Sequence, residues 1–316
     1  MSPSSSNDRG ALLPAQPRIA VVGASGLVGG EIIARLKERA FPSQSLVELS
    51  PRGDHPADAA DADLAFLAAP TEVARLYAPR LVAEGCIVID LSPAWRLDED
   101  VPLVVPEINA ASLKNHQGII ASPNCTNVPL VMALAALQKQ RVIEQVIVTT
   151  MQAASGAGRP GLNSLKGAAS PFAKPLLNNL IPHCDDFDAN GVTAEEQRMV
   201  VETQRLLAAP HVKIMASCVR VPVPVGHAMS VYVQLRDSFS VDQARDCFAS
   251  MPGLKLYKRK AYPGVLDCVG NDLVHVGRLR QGNDPDELHF WLACDNLRKG
   301  AATNAVQIAE LLLRAN

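Results

Sequence analysis

The stretch RIAVVGASGLVGGEIIARLKER, Arg18–Arg39, decides the fold. Arg18–Val22 is a short apolar, β-branched run that stops at a glycine, and the residues that follow carry apolar positions at helical spacing through Arg39. A strand, a glycine turn and a helix in that order open a βαβ unit. Gly23, Gly26 and Gly29 lie in the turn and at the helix start. Glycines there allow a tight turn and let backbone N–H groups approach a pyrophosphate, which the positive end of the helix then favours. Glycine triplets also arise from close strand–helix packing, but the position directly after a strand favours cofactor binding.

Outward from that unit, SLVEL, DLAFLAA, CIVIDLS and GIIASP read as further strands, with TEVARLYAPRLVAEG as a helix among them. Near-continuous apolar strands alternating with helices imply a parallel sheet covered on both faces, hence a doubly wound α/β domain. The tip of the second strand, in LVELSPRGDHP, selects between nicotinamide cofactors. An acid there binds a ribose 2′-hydroxyl, whereas hydroxyls and a guanidinium accept a 2′-phosphate. Ser50 and Arg52 at the tip point to NADP, although Arg52 alone also reads as a solvated loop residue.

The second half changes character. EQVIVTTMQA, VKIMASCVRVPV, AMSVYVQLR, LVHVGRLR and LHFWLAC are strand-like, with few helices among them, an α+β pattern with a mixed sheet. The expected division is a disordered leader at 1–17, a dinucleotide-binding domain of 18–124 and 296–316, and a catalytic and dimerisation domain of 125–295. The chain has 316 residues, 48% of them hydrophobic, and a net charge of −2, enough for two cores and without an electrostatic argument for nucleic acid. No apolar run reaches a membrane-spanning length, and the N-terminus does not read as a secretory signal. Seven scattered cysteines without CxxC pairs suit a reducing cytoplasm and argue against a disulfide frame or a zinc site.

Cys125, in ASPNCTNVPLVMALAALQ, stands between a Pro-Asn turn and an apolar helix. Isolated cysteines are more often inert core, but a helix start beside the sulfur stabilises thiolate over thiol. A thiolate attacks an aldehyde or an acyl phosphate. SCVRVPVPVGHAMS places Arg220 and His227 around a Pro-rich bend, the first suited to a carboxylate and the second to proton transfer. TMQAASGAGRPG adds Gln152, an amide that can orient a substrate, and the small residues Ser155, Gly156 and Gly158, which let a flat ring lie close to backbone.

In this order, GASGLVGG, SPNCTN, TMQAASGAG, EEQRMVVET, CVRVPVPVGHAMSV and DNLRKGAATNAVQIAELL resemble the aspartate-semialdehyde dehydrogenase family over nearly the whole chain after the leader. The resemblance implies a Rossmann domain, a substrate and dimerisation domain, NADP, and reversible reductive dephosphorylation of L-4-aspartyl phosphate to L-aspartate 4-semialdehyde. That reaction serves lysine, threonine, methionine and isoleucine biosynthesis. It implies Cys125 as the acyl-thioester nucleophile and His227 as the general acid/base. Gln152 and Glu195 would orient the amino acid, Arg220 would bind its α-carboxylate, and Arg96, Asn124 and Arg198 would hold phosphate. Ser25, Gly26, Leu27, Val28, Ser155, Gly156 and Asn296 would meet the cofactor. The implied assembly is a homodimer or a dimer of dimers. Three departures stand out: Arg198 replaces a usual lysine, the segment after Ser50 is short, and FLAAPTEVARLYAP replaces a small-residue stretch. A sister acyl-phosphate or acyl-CoA reductase and a catalytically silent binding paralogue are the alternatives.

Overall fold

A computed structural model describes residues 12–50, 59 and 61–314. Arg52 and the first eleven residues of the expected leader lie outside the described residues. The described chain forms two compact units, one running to Ser122 and resuming at Ala305, the other Pro123–Asn304. The return to the first unit comes later than the sequence suggests because 295–303 is tied into the second. Asp295 Oδ1 accepts the N–H groups of Leu297 and Arg298, and Thr303 Oγ1 donates to Asp272.

The first unit contains β1 (Arg18–Val22), α1 (Leu27–Glu38), β2 (Ser45–Leu49), β3 (Leu64–Leu67), α2 (Thr71–Ala83), β4 (Ile87–Asp90), α3 (Pro106–Asn109) and β5 (Ile119–Ala121). All five strands are parallel, in the order β2-β1-β3-β4-β5. β3 and β4 are buried at every residue, which is why their sequences are apolar up to Asp90, the last residue of β4, whose carboxyl oxygens accept the Ser92 N–H and hydroxyl. Successive strands leave β1 in opposite directions, so the ligand crevice of such a sheet lies at the carboxyl ends of β1 and β3. The glycine turn sits there. Gly23 has φ +90°, and a Cβ on it would lie 2.2 Å from the Ala68 carbonyl oxygen. A Cβ on Gly29 would lie 2.1 Å from the Gly23 carbonyl oxygen, so α1 can approach the turn only as glycine. Within the expected leader, Leu13 is 1% exposed and the Pro17 carbonyl accepts the Gln44 N–H.

The second unit holds α4 (Asn127–Gln138), β6 (Ile143–Gln152), α5 (Gly158–Ser164), α6 (Ala194–Leu206), β7 (Lys213–Arg220), β8 (His227–Leu235), α7 (Val241–Ser250), β9 (Leu254–Leu256), β10 (Val274–Gln281) and β11 (Glu287–Cys294). A π-helical turn, Arg298–Ala302, then leads into α8 (Thr303–Arg314). The mixed sheet runs β7-β6-β8-β11-β10-β9. β6–β7 and β9–β10 are parallel and the other pairings antiparallel. One face is a core of Val146, Val148, Val231, Val233, Leu288 and Phe290, all 2% exposed or less. Phe290 meets Phe248 of α7 edge-on at 5.2 Å. The other face is open: Met215, Ile147, Tyr232 and His289 stand in one register row, with Met215 61% and Ile147 41% exposed. α4 is buried from Asn127 to Leu137, as an all-round apolar helix must be. Among the described residues no helix is long and apolar enough to cross a membrane.

Candidate active site

Cys125 sits in the turn that starts α4. The Asn124 carbonyl accepts the N–H groups of Asn127 (2.9 Å) and Val128 (3.2 Å), winding the chain so that residue 125 projects before the helix. Its sulfur is 3.3 Å from His227 Nε2 and 3.5 Å from Asn124 Oδ1. The side chain is half-buried rather than sealed in the core. Backbone closes over it from the π-helical turn: a Cβ on Gly300 would lie 3.1 Å from Cys125 Cβ.

His227 begins β8, directly after Gly226, whose φ of +98° only glycine adopts readily. The Gly226 N–H donates to Asn296 Oδ1 (2.8 Å), and the Asn296 amide nitrogen donates to Ser155 Oγ (3.0 Å). Ser155 and Asn296 are thus joined in one knot that fixes the approach to His227. The Ala153 N–H donates to His227 Nδ1 (3.0 Å). That bond requires an unprotonated Nδ1, so the proton of the neutral ring resides on Nε2 and faces the Cys125 sulfur. Burial, with the nearby Arg220 charge adding to it, lowers the ring's pKa from 6.5 to about 3. The resting histidine is therefore a neutral N–H donor.

Arg220 ends β7, in register with Gln152 at the end of β6. Its Nη1 donates to the Ala153 carbonyl (2.7 Å), and the Phe172 ring lies 5.3 Å from the guanidinium carbon. Nε is buried and has no hydrogen-bond partner. A buried cation with an unsatisfied N–H on its fork edge is suited to an incoming carboxylate. Gly156 permits this placement, since a Cβ there would lie 2.6 Å from Arg220 Nη1 and 3.5 Å from His227 Cε1.

Glu195 gathers the remaining side chains. Its Oε1 accepts from Asn124 Nδ2 (2.8 Å), Gln152 Nε2 (2.8 Å) and Thr126 Oγ1 (3.3 Å), while Oε2 accepts from Arg198 Nη2 (2.8 Å). Burial opposes its ionisation most strongly, but the Arg198 charge and these hydrogen bonds outweigh it and hold the carboxyl below its usual range. Arg198 also pairs with Asp185. The Arg198 guanidinium fork thus bridges two carboxylates, which a point charge would do with less directional control.

Cys125, His227, Gln152, Arg220, Glu195, Asn124, Arg198, Ser155, Gly156 and Asn296 all belong to the second unit. Gly23, Ser25, Gly26, Leu27, Val28, Ser50 and Arg96 belong to the first. There Arg96 is buried, donating from Nε to the Ser122 carbonyl (3.0 Å) and from Nη2 to the Leu91 carbonyl (2.7 Å). The glycine turn fits a dinucleotide. Gly26 caps α1 without a side chain, helix geometry leaves the N–H groups of Leu27 and Val28 without partners inside α1, and Ser50 lies half-buried just beyond the tip of β2. Among the described residues no group of three His, Cys, Asp or Glu could hold a metal ion. Sequence reasoning missed Ala153, whose contribution is a backbone N–H and has no signature. It also missed Gly300, whose only mark in the chain is a small residue within RKGAATN.

The chain resembles known proteins over nearly its whole length. Residues 46–116 match the semialdehyde dehydrogenase NAD binding domain and residues 134–299 the semialdehyde dehydrogenase dimerisation domain. The aspartate-semialdehyde dehydrogenase of Synechocystis sp. is 38% identical, covering 95% of this chain and 98% of the relative. That of Bacillus subtilis is 36% identical over 94% and 98%. A crystal structure of aspartate semialdehyde dehydrogenase II from Vibrio cholerae, complexed with ASA, superposes with a TM-score of 0.90 at 35% identity, covering 95% of this chain and 98% of that one. With its paired cysteine and histidine, the unsatisfied Nε of Arg220 and its glycine turn, the chain belongs to the aspartate-semialdehyde dehydrogenase family.

Proposed function

We propose that this protein catalyses the reversible, NADPH-dependent reductive dephosphorylation of L-4-aspartyl phosphate to L-aspartate 4-semialdehyde. The observation that carries the reading is the 3.3 Å approach of Cys125 Sγ to His227 Nε2 within one unit that also holds the unsatisfied Arg220 edge. Cys125 attacks the acyl carbon, phosphate leaves, and a thioester forms on the sulfur. Arg220 takes the substrate α-carboxylate, Gln152 and Glu195 orient the amino acid, and Asn124, Arg198 and Arg96 receive phosphate. NADPH, when bound, supplies the hydride. His227 donates a hydrogen bond from Nε2 to the oxyanion of the thiohemiacetal; as that oxyanion re-forms the carbonyl of the aldehyde, the C–S bond breaks and its electron pair leaves on the Cys125 sulfur, as thiolate beside the same Nε2 proton. Gly23, Ser25, Gly26, Leu27 and Val28 would hold the pyrophosphate, Ser50 and Arg52 the 2′-phosphate, and Ser155, Gly156 and Asn296 the nicotinamide side.

The open face of the mixed sheet supports a homodimer as the working form, and free cysteines throughout suit a cytoplasmic setting. The assay is phosphate-dependent reduction of NADP by aspartate semialdehyde, run beside N-acetylglutamate semialdehyde and a CoA-dependent reaction. Turnover with aspartate semialdehyde and phosphate is expected, and Cys125→Ser should abolish it in a folded protein. Turnover surviving that replacement overturns the nucleophile, and turnover only with another aldehyde overturns the substrate.

A further inference from the structure

The motif EEQRMVVET contributes Glu195 and Arg198 to the reaction described above, which leaves its last two residues, Glu202 and Thr203, without a role in that chemistry. Both are fully buried, at 0% exposure. Glu202 follows Glu195 by two helical turns, so the two carboxylates share one face of α6 with Thr203 beside them. Each of the three side chains grips the nucleophile turn. Glu202 Oε2 accepts the Asn124 backbone N–H at 2.7 Å, and Glu195 Oε1 accepts the Asn124 side-chain amide at 2.8 Å. Thr203 Oγ1 accepts from Asn127 Nδ2 at 3.0 Å, and the same amide donates to the Met199 carbonyl at 3.2 Å. The anchored residues, Asn124, Thr126 and Asn127, surround Cys125 in the chain.

We infer that Glu202, supported by Thr203, is a positioning residue that sets the Cys125 sulfur against His227 through the backbone of Asn124; this rests on Cys125 being the nucleophile. Asn124 lies before α4, where its N–H has no helical acceptor. A buried carboxyl group is costly unless hydrogen-bonded, and the 2.7 Å bond from the Asn124 N–H satisfies one of its oxygens. With its N–H held by Glu202 and its Nδ2 by Glu195, Asn124 cannot rotate, and its Oδ1 is left facing the sulfur at 3.5 Å. Helix α6 thereby acts as a polar rail along which the turn is registered.

The test compares Glu202→Ala, Glu202→Gln and Glu202→Asp in the full chain, with folding checked by circular dichroism. Turnover, KM for semialdehyde and phosphate, and the rate of Cys125 capture by iodoacetamide are read per folded molecule. Glu202→Ala should lower kcat by about 100-fold, the size of effect that a sub-ångström to 1 Å misplacement of a reacting group produces, with little change in either KM. Glu202→Gln keeps an acceptor of the right reach and should recover most of the rate. Glu202→Asp keeps the charge but withdraws the acceptor by one methylene and should not. Should the alanine variant fail to fold, the order of the other two decides. An active aspartate variant beside an inactive glutamine variant overturns positioning in favour of charge. Turnover within threefold of wild type in all folded variants, or a loss confined to KM, also overturns it. Residual turnover in Cys125→Ser would instead fault the nucleophile itself, so the two readings fail separately.

Discussion

At His227 a single backbone hydrogen bond decides what the side chain can do. The Ala153 N–H on Nδ1 leaves no room for a proton there, so the imidazolium form would set two N–H groups against each other. Burial acts in the same direction, and the folded pKa of about 3 lies below the ordinary 6.5. Between those values the unfolded chain binds a proton that the native protein does not. The histidine's contribution to native stability is therefore intact above pH 6.5 and is lost progressively as pH falls toward 3. Relative to His227→Gln, the wild type should lose up to about 1.4 kcal/mol per pH unit over that interval. Urea unfolding of both proteins at a series of pH values checks this, and parallel curves would show the ring to be protonated in the native state. Cys125, Arg220 and His227 were legible as residues because their types and order carry chemistry. The tautomer was not, because the group that sets it is a main-chain donor at an alanine. Gly300 was not either, since its need to be small arises from Cys125 lying against it, a proximity between residues far apart in sequence.

At the scale of elements, the glycine turn between β1 and α1 makes opposite demands on neighbouring positions. A Cβ at Gly29 would meet the Gly23 carbonyl oxygen at 2.1 Å and its carbon at 2.6 Å, both backbone atoms of a tight turn that cannot yield. Gly30 is exposed, and the nearest atom to a Cβ there is 3.7 Å away. Gly29→Ala should destabilise by about 1–3 kcal/mol, as overpacking does, and abolish NADP binding because the turn itself must move. Gly30→Ala should stabilise by about 0.5–1 kcal/mol through helix propensity and leave binding intact. Thermal unfolding with and without NADP measures both, and equal effects at the two sites would mean that the turn is not packed as described. Most elements were legible in the sequence for a simple reason. Buried parallel strands are apolar, wholly in β3 and up to the terminal Asp90 in β4, and α6 opens with a Thr193–Glu196 capping box that reads directly from the chain. β9 was not legible, being three residues, none of them buried, placed by pairing with β10, and neither was the π-helical turn, which depends on the Asp295 carbonyl accepting the Gly300 N–H.

Across the whole molecule, exposed apolar side chains are unevenly shared. Leu12, Val47, Leu76 and Leu97 are the large exposed hydrophobics described in the first unit, while the second has Ile147, Leu177, Leu180, Phe187, Val192, Val201, Met215, Tyr262, Leu266, Val269 and Leu273. Scattered apolar residues need no explanation, but a row across an otherwise uncovered sheet face does. Met215 and Ile147 stand in that row beside Tyr232 and His289, and the row beside it holds Ser217, Thr149, Ser230 and Trp291. Helices cover the opposite face, and in the proposed homodimer a second copy of the chain would cover this one. A buried carboxylate without a partner in such an interface is strongly unfavourable. Ile147→Asp and Met215→Glu should therefore each convert a dimer to a monomer in light scattering coupled to size exclusion, without unfolding the isolated chain, because both positions are exposed in it. The consequence reaches the reaction, since β6 carries Ile147 in its middle and Gln152 at its end, and β7 carries Met215 and then Arg220. Strands loosened by loss of their cover would let Gln152 and Arg220 drift, so the monomeric variants should show a raised KM for aspartate semialdehyde. Dimers persisting in both variants would place self-association on another surface.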